Sequence, residues 1–324
     1  MSIIFETETE TETETETETE TENATVRDSN VLYSDGPLPE LPEVETMRRG
    51  VLPVVGSRIT KAERPVCRLR PILFEPSIHA FDRRVRGQEI IDVGRRGKRV
   101  MIHLGSHDVI VIEPRMTGLV LLADPPGPEH LRLRLTLTGG PNNQLLFWDR
   151  RGLGTVRLLS PDELKIKVDG KLGTDALSIS HDELREKLKT SRREIKVALL
   201  DQAVVAGIGN LYAAEILFLS GIDPRARCDS LTGPQWKRIQ QATHAVLKEA
   251  IEHEGSTLSD GTYRNALNSE GGYQNYHRVY DRVDEPCIRC RKGRIRRIVQ
   301  AQRSTFFCPK CQQRRGLHHT VRTI

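Results

Sequence analysis

No apolar stretch in the 324-residue chain approaches the ~20 residues that a membrane-spanning helix needs. The N-terminus has neither the basic start nor the apolar core of a secretory signal, so a cytoplasmic protein is expected. Cysteine is scarce as well. Six are present, and four fall in Cys-x2-Cys pairs, which argues against a disulfide-stapled secreted domain and for metal binding in a reducing compartment. Bases are almost missing from residues 1–38, where Arg27 stands alone against eleven acids. The remaining residues hold 48 bases and 33 acids, the balance of a protein that meets a polyanion.

Residues 6–22 alternate Glu and Thr, with no apolar face to bury and a density of like charge that resists collapse, so 1–38 is expected to be disordered. From about 88 to 158, short apolar runs are separated by turn residues, and in one of them Leu131, Leu133, Leu135 and Leu137 alternate with Arg132, Arg134 and Thr136. That run has the period of a half-buried strand, and the runs together, seven in all, predict a β-sandwich or flattened barrel. A helix is predicted ahead of it at 42–51, with acids in its first turn and Arg48 and Arg49 in its last. Beyond residue 160 the period turns helical, at 182–189, 195–200, 211–220 and 234–252. The small-residue run Ala206-Gly207-Ile208-Gly209-Asn210 interrupts that pattern and must serve another purpose. The class is α+β, with expected domains at 39–160, 161–275 and 276–324.

Cys287-x2-Cys290, followed after seventeen residues by Cys308-x2-Cys311, has the spacing of two knuckles closing a tetrahedral four-thiolate shell. Four protein ligands leave no open position, so one structural zinc is expected. Arg289, Arg291, Lys292, Arg294, Arg296, Arg297 and Arg303 crowd the same segment, a charge density suited to phosphate. Cys67 and Cys228 stand alone and are read as packing residues.

Pro39-Glu40-Leu41-Pro42-Glu43-Val44-Glu45-Thr46, the Gly97-Lys98 pair, Gly207-Ile208-Gly209-Asn210-Leu211-Tyr212-Ala213 and Arg303-Ser304-Thr305-Phe306-Phe307-Cys308-Pro309 together resemble the bacterial formamidopyrimidine-DNA glycosylase family. The resemblance runs from Pro39 to about Gln312. It implies a β-sandwich domain with a leading helix, a helical helix-two-turn-helix domain and a C-terminal zinc-finger hairpin. It further implies a monomeric bifunctional glycosylase and abasic-site lyase of base excision repair, acting on double-stranded DNA that carries oxidised purines or abasic sites.

By position, the resemblance makes Pro39 the amine nucleophile, Glu40 the acid that protonates the sugar ring oxygen, Lys98 a lysine beside the lesion and Arg303 the finger arginine. An α-amine has a pKa near ~8, so part of it is unprotonated at neutral pH and able to attack C1′. His130, Arg151, Asn210 and Arg192 match DNA contacts. Met116, Arg151 and Leu153 match the side chains that fill the hole left by an extruded base, with Leu153 where the family usually has Phe. Asn210 also stands where it would cap a helix, at a turn whose N–H groups favour phosphate. Residues 262–281 resemble the loop that closes over the flipped base.

An amide nitrogen cannot form the iminium ion, so Pro39 must be a free N-terminus. Leu38 immediately precedes it, and a leucine codon such as TTG can start translation, so residues 1–38 are expected to be absent from the working enzyme. With Pro39 blocked, the alternative is a non-catalytic protein that binds damaged DNA. A zinc-ribbon transcription factor would fit the finger but leave Pro39, Glu40 and Lys98 without a purpose.

Overall fold

The computed structural model describes residues 39–122, 125–257 and 269–313. The acidic repeat, the tail from Arg314 with His318 and His319, and residues 262–268 of the expected closing loop lie outside the described residues.

Helix α1 (Leu41–Val51) opens the fold. Nine strands follow: β1 (Arg58–Glu63), β2 (Leu73–Glu75), β3 (Ile90–Arg96), β4 (Arg99–Leu104), β5 (Val109–Glu113), β6 (Gly118–Leu121), β7 (Leu131–Thr138), β8 (Gln144–Asp149) and β9 (Thr155–Leu159). They form two sheets, ordered β1-β7-β8-β6 and β2-β9-β5-β4-β3, antiparallel except for β2 on β9. Their inward residues make one core: Val93, Ile102, Ile110 and Val156 come from one sheet, and Leu119, Leu133, Leu135 and Phe147 from the other. The seven expected strands are present with ends shifted by a few residues. β1 and β2 escaped the sequence reading because one buries only Ile59 and Ala62 and the other is three residues long. Helix α2 (Ile78–Val85) packs Phe81 and Val85 on the sandwich.

The second half contains α3 (Pro161–Lys167), β10 (Thr174–Asp175), α4 (His181–Leu188), α5 (Ile195–Leu199), β11 (Val205–Ala206), α6 (Asn210–Ser220) and α7 (Gly233–Glu252). Helix α3 buries none of its residues and so leaves no periodic trace; a Ser160–Glu163 capping box starts it. Helix α6 is buried almost all round, which suits its run of apolar residues, and ends at Gly221 with φ +69°. The chain closes with a hairpin of β12 (Arg296–Gln300) and β13 (Arg303–Phe307). Its two-residue turn, Ala301-Gln302, has both φ values positive. Cys287, Ile295, Phe306 and Cys308 belong to the same core as Ile216, Leu217 and Trp236, so the finger and the helices share one interior.

Helix α1 joins the halves. Leu41 packs into the helical core while Val44, Met47 and Val51 pack into the sandwich. Arg95 on β3 ties the same junction, bonding Glu45 at 3.1 Å and Asp175 at 2.7 Å with its side chain only 9% exposed. Among the described residues no helix is long and apolar enough to cross a membrane.

Candidate active site and nucleic-acid interface

The interrupted run at 206–210 is a seat for the start of α1. Gly207 takes φ +113° and accepts a hydrogen bond from the Leu41 N–H at 3.1 Å, and a Cβ on Gly207 would come within 2.9 Å of the Leu41 Cβ. A Cβ on Gly209 would overlap the Glu40 carboxyl group, 2.5 Å from Oε1. Both glycines are required by close approach.

The Glu40 carboxylate accepts N–H bonds from Gly209 at 2.6 Å, Leu211 at 2.9 Å and, more weakly, Tyr212 at 3.4 Å. Gly209, rather than Asn210, occupies the N-cap position of α6, and the capping oxygens come from Glu40, the residue that precedes α1. The expectation that Asn210 caps the helix is therefore corrected. Those amides also point at a carboxylate of the chain itself and are not open to phosphate. Asn210 is the first residue of α6, and its Oδ1 accepts a bond from the buried Lys196 Nζ at 2.7 Å.

Glu40 is 2% exposed, and burial pushes its pKa up to about 7 against the combined pull of Lys98 and the α6 amides; the nearby Glu43 adds to the rise. Glu43 closes the capping box of α1 by accepting the Glu40 N–H at 2.9 Å. It also accepts the Tyr212 hydroxyl at 2.6 Å and the Ser256 N–H at 2.9 Å. Burial raises the Glu43 carboxyl as well and drives the Tyr212 phenol far up, so that hydroxyl remains a donor.

Lys98 lies in the two-residue turn between β3 and β4, after Gly97 at φ +57°. Arg96 anchors this hairpin to the second half through the carbonyls of Gly173 and Leu172 at 3.0 and 3.2 Å. The ammonium of Lys98 is pushed below the usual lysine range by burial and by the charge of Arg303, while the charge of Glu40 opposes the shift. Glu40, Lys98 and Arg303 thus share one electrostatic neighbourhood, with Pro39 next to the first of them. Arg303 begins β13 immediately after the hairpin turn and is exposed.

Lys196 went unrecognised as a site residue in the sequence. Its Nζ joins Asn210 to the finger, bonding the Ser304 carbonyl at 2.8 Å and the Thr305 hydroxyl at 2.6 Å. A lysine between Ile195 and Val197 in an apolar run is the signal that could have found it.

Met116, Arg151 and Leu153 lie on two loops pinned by one buried carboxylate. Asp149 accepts the Thr117 hydroxyl at 2.5 Å, the Arg151 N–H at 3.2 Å and the Gly154 N–H at 2.8 Å. Met116 and Leu153 are half-buried and Arg151 is exposed, so Met116 and Leu153 are neither core nor strand residues. His130 stands edge-on to Trp148 with ring centroids 5.3 Å apart, and its buried Nδ1 has no hydrogen-bond partner among the described residues. Arg192 stands apart from the others. It is exposed before α5, where the hydrogen bond from Arg227 holds the Asp229 carboxyl below its usual range and the Arg192 charge adds to the lowering.

The described part of the closing-loop segment packs inward. Tyr273 is fully buried in the helical core, and Gly271 and Gly272 bond the Thr257 hydroxyl and the His253 carbonyl at 2.8 Å each.

The sulfurs of Cys287, Cys290, Cys308 and Cys311 lie within 4.8 Å of one another, with Cys287–Cys311 at 3.7 Å and Cys290–Cys308 at 3.8 Å. A tetrahedron with ~2.3 Å metal–sulfur bonds has edges of about 3.8 Å, so the donor set fits one zinc with a closed shell. The Gly293 N–H donates to the Cys290 sulfur at 3.3 Å, as bonds that orient a ligand do.

Three family models match along the chain: the formamidopyrimidine-DNA glycosylase N-terminal domain over residues 38–156, the formamidopyrimidine-DNA glycosylase H2TH domain over 172–262, and the zinc finger found in FPG and IleRS over 284–314. A formamidopyrimidine-DNA glycosylase from Chloroflexus aggregans is 39% identical over 280 residues, covering 85% of this chain and 98% of that protein. Among solved structures, a Lactococcus lactis FPG variant in complex with Fapy-dG containing DNA has 32% identity and a TM-score of 0.75, covering 85% of this chain and all of that one. A MutM complex with carbocyclic 8-oxo-G containing DNA has 32% identity and a TM-score of 0.73, covering 85% of this chain and 100% of that one.

Proposed function

The chain belongs to the formamidopyrimidine-DNA glycosylase family, and from that premise we propose how its own residues remove oxidised purines in base excision repair and then cleave the abasic site. The supporting observation is a buried Glu40 carboxyl, poised near neutrality and held by α6, next in sequence to Pro39 and within electrostatic reach of Lys98.

The lone pair of the Pro39 nitrogen, freed of residues 1–38, forms a bond to C1′ of the damaged nucleotide. The C1′–base bond breaks with its electron pair on the base, which leaves with the proton shed by the nitrogen. The nitrogen lone pair then forms the C=N bond of the iminium ion as the C1′–ring-oxygen bond breaks, and Glu40 gives its proton to that oxygen as the sugar opens. A carboxyl with a pKa of about 7 is partly protonated at neutral pH and strong enough to give the proton up. The iminium ion then draws electrons from C2′, whose proton is lost, and the flanking phosphates leave by β- and δ-elimination. Lys98 is placed to assist the first elimination and Arg303 the second. That the matched relatives align over almost their whole length while the N-terminal family model begins at residue 38 supports Pro39 as the first working residue.

DNA lies across the junction that α1 bridges, with Met116, Arg151 and Leu153 filling the gap left by the extruded base, and His130, Asn210, Arg192 and Arg303 on the phosphates. The domains of this reading are 39–160, 161–275 and 276–324, and the working unit is a cytoplasmic monomer. Incubation with a duplex carrying one 8-oxoguanine tests the reading. Release of the base with strand cleavage on both sides of the sugar is the expected result, and tight binding without release would leave only a damage-binding protein.

A further inference from the structure

The loop between β1 and β2 carries a thiol that the mechanism above does not use. Cys67 is half-buried, and its sulfur accepts a hydrogen bond from Arg132 Nη1 at 2.8 Å. Arg132 is an unusual neighbour, since the residue is only 3% exposed although it belongs to a strand of the sandwich. Its Nε donates to the Asp149 carbonyl at 2.9 Å and its Nη1 also to the Arg70 carbonyl at 2.9 Å. Nη2 is buried and has no hydrogen-bond partner among the described residues. A buried guanidinium N–H left unmatched costs free energy, and such a group marks a place where an acceptor belongs.

We propose that Cys67 is a peroxide-reactive thiol whose oxidation product is held by Arg132. The sulfur lone pair attacks one oxygen of hydrogen peroxide, an S–O bond forms as the O–O bond breaks, and the second oxygen leaves as water with the thiol proton. The thiol is oxidised to a sulfenic acid and the peroxide is reduced. The oxygen added on sulfur supplies the acceptor that Nη2 lacks, and a charged donor on the same guanidinium already touches the sulfur. Cys228, by contrast, is fully buried and its thiol is pushed up to about 11 by burial, so it serves as the internal control.

The place of the cluster gives the modification a consequence. A Cβ on Gly152 would overlap the Arg70 carbonyl and approach Arg132 Nη2 to 3.2 Å, so the cluster lies directly beneath the loop that holds Arg151 and Leu153. Arg132 also holds the backbone of Asp149, whose carboxylate pins both gap-filling loops. An added oxygen here shifts the support of those loops. This coupling rests on the functional reading above, whereas the reactivity of Cys67 does not.

The zinc-loaded full chain, treated with equimolar hydrogen peroxide in the presence of dimedone and then digested, reports the labelling rate of each cysteine. Cys67 is expected to label at least about tenfold faster than Cys228 and than the same cysteine in a synthetic peptide of residues 61–73, and Arg132→Met to bring it down to the peptide rate. Labelling of Cys67 in the folded protein at or below the peptide rate would overturn the proposal without need of any variant. Peroxide-treated protein is further expected to lose several-fold affinity for lesion duplex while identically treated Cys67→Ser does not. Equal losses would disconnect the thiol from the gap-filling loops.

Discussion

Replacing Glu40 by Gln isolates the proton on which the proposed chemistry turns. The folded protein holds this proton with a pKa of about 7, against 4.5 for an ordinary glutamate. Because the folded state binds the proton more tightly than the unfolded chain, the stability that the proton contributes is fully present below pH 4.5 and is lost as the pH rises through about 7. At 1.36 kcal/mol per pKa unit the loss amounts to about 3 kcal/mol. Gln carries no ionisable proton, and its amide meets the Gly209 N–H with a like donor, so Glu40→Gln carries a fixed cost at every pH. Only the pH-dependent part of the difference reports on the glutamate. Urea unfolding of both proteins at pH 5 and pH 8.5 measures it: wild type should lose about 3 kcal/mol relative to Glu40→Gln between the two conditions. Base release by the wild type needs both the Glu40 proton and an unprotonated Pro39 amine, so its rate should pass through a maximum between about 7 and ~8 and fall on either side, and the variant should be slower by ~10²–10⁴-fold near that maximum. A stability difference that stays constant with pH would refute the claim that burial dominates at this carboxyl.

Gly209→Ala puts a methyl group into the Glu40 carboxyl, so base release should fall by ~10²-fold or more with circular dichroism unchanged, and an undiminished rate would mean that the α6 seat does not hold the acid in its working position. Lys196→Met removes the donor shared by Asn210, Ser304 and Thr305 and should cost about 3 kcal/mol in urea unfolding and weaken lesion-duplex binding by gel shift; full stability would contradict a joining role for the buried ammonium. Chelation should release about one zinc per chain, read by a colorimetric indicator, with loss of DNA binding, since Cys287 and Cys308 are part of the core that the finger shares with the helices.

The strands of the sandwich were legible as short apolar runs between turn residues. Alternation holds only in part of β7, where Leu133, Leu135 and Leu137 are buried and Arg134 is exposed, while Arg132 is buried as well and β6 and β8 are buried almost throughout. The zinc shell was legible for a comparable reason, since two knuckles fix their ligands by local spacing. What stayed hidden was long-range. Nothing near Gly209 states that a carboxylate 169 positions earlier will cap α6, and local rules favoured the adjacent Asn210. Asp149 ends β8, and its work of pinning Thr117, Arg151 and Gly154 emerges only when two loops meet. Lys196 was hidden in another way. A charged residue in a helix is expected to face water, and full burial becomes acceptable only once three acceptors from two other elements surround its ammonium.

The central claim is that the nitrogen of Pro39 makes the covalent bond to the sugar. Borohydride reduction during reaction with an 8-oxoguanine duplex, on one preparation beginning at Pro39 and another beginning at Met1, tests it most directly, with the cross-linked peptide identified by mass spectrometry. A stable protein–DNA adduct on Pro39 in the first preparation, and none in the second, is the expected result. An adduct of equal yield from the chain that keeps residues 1–38, or one carried by Lys98 in both, would contradict the account.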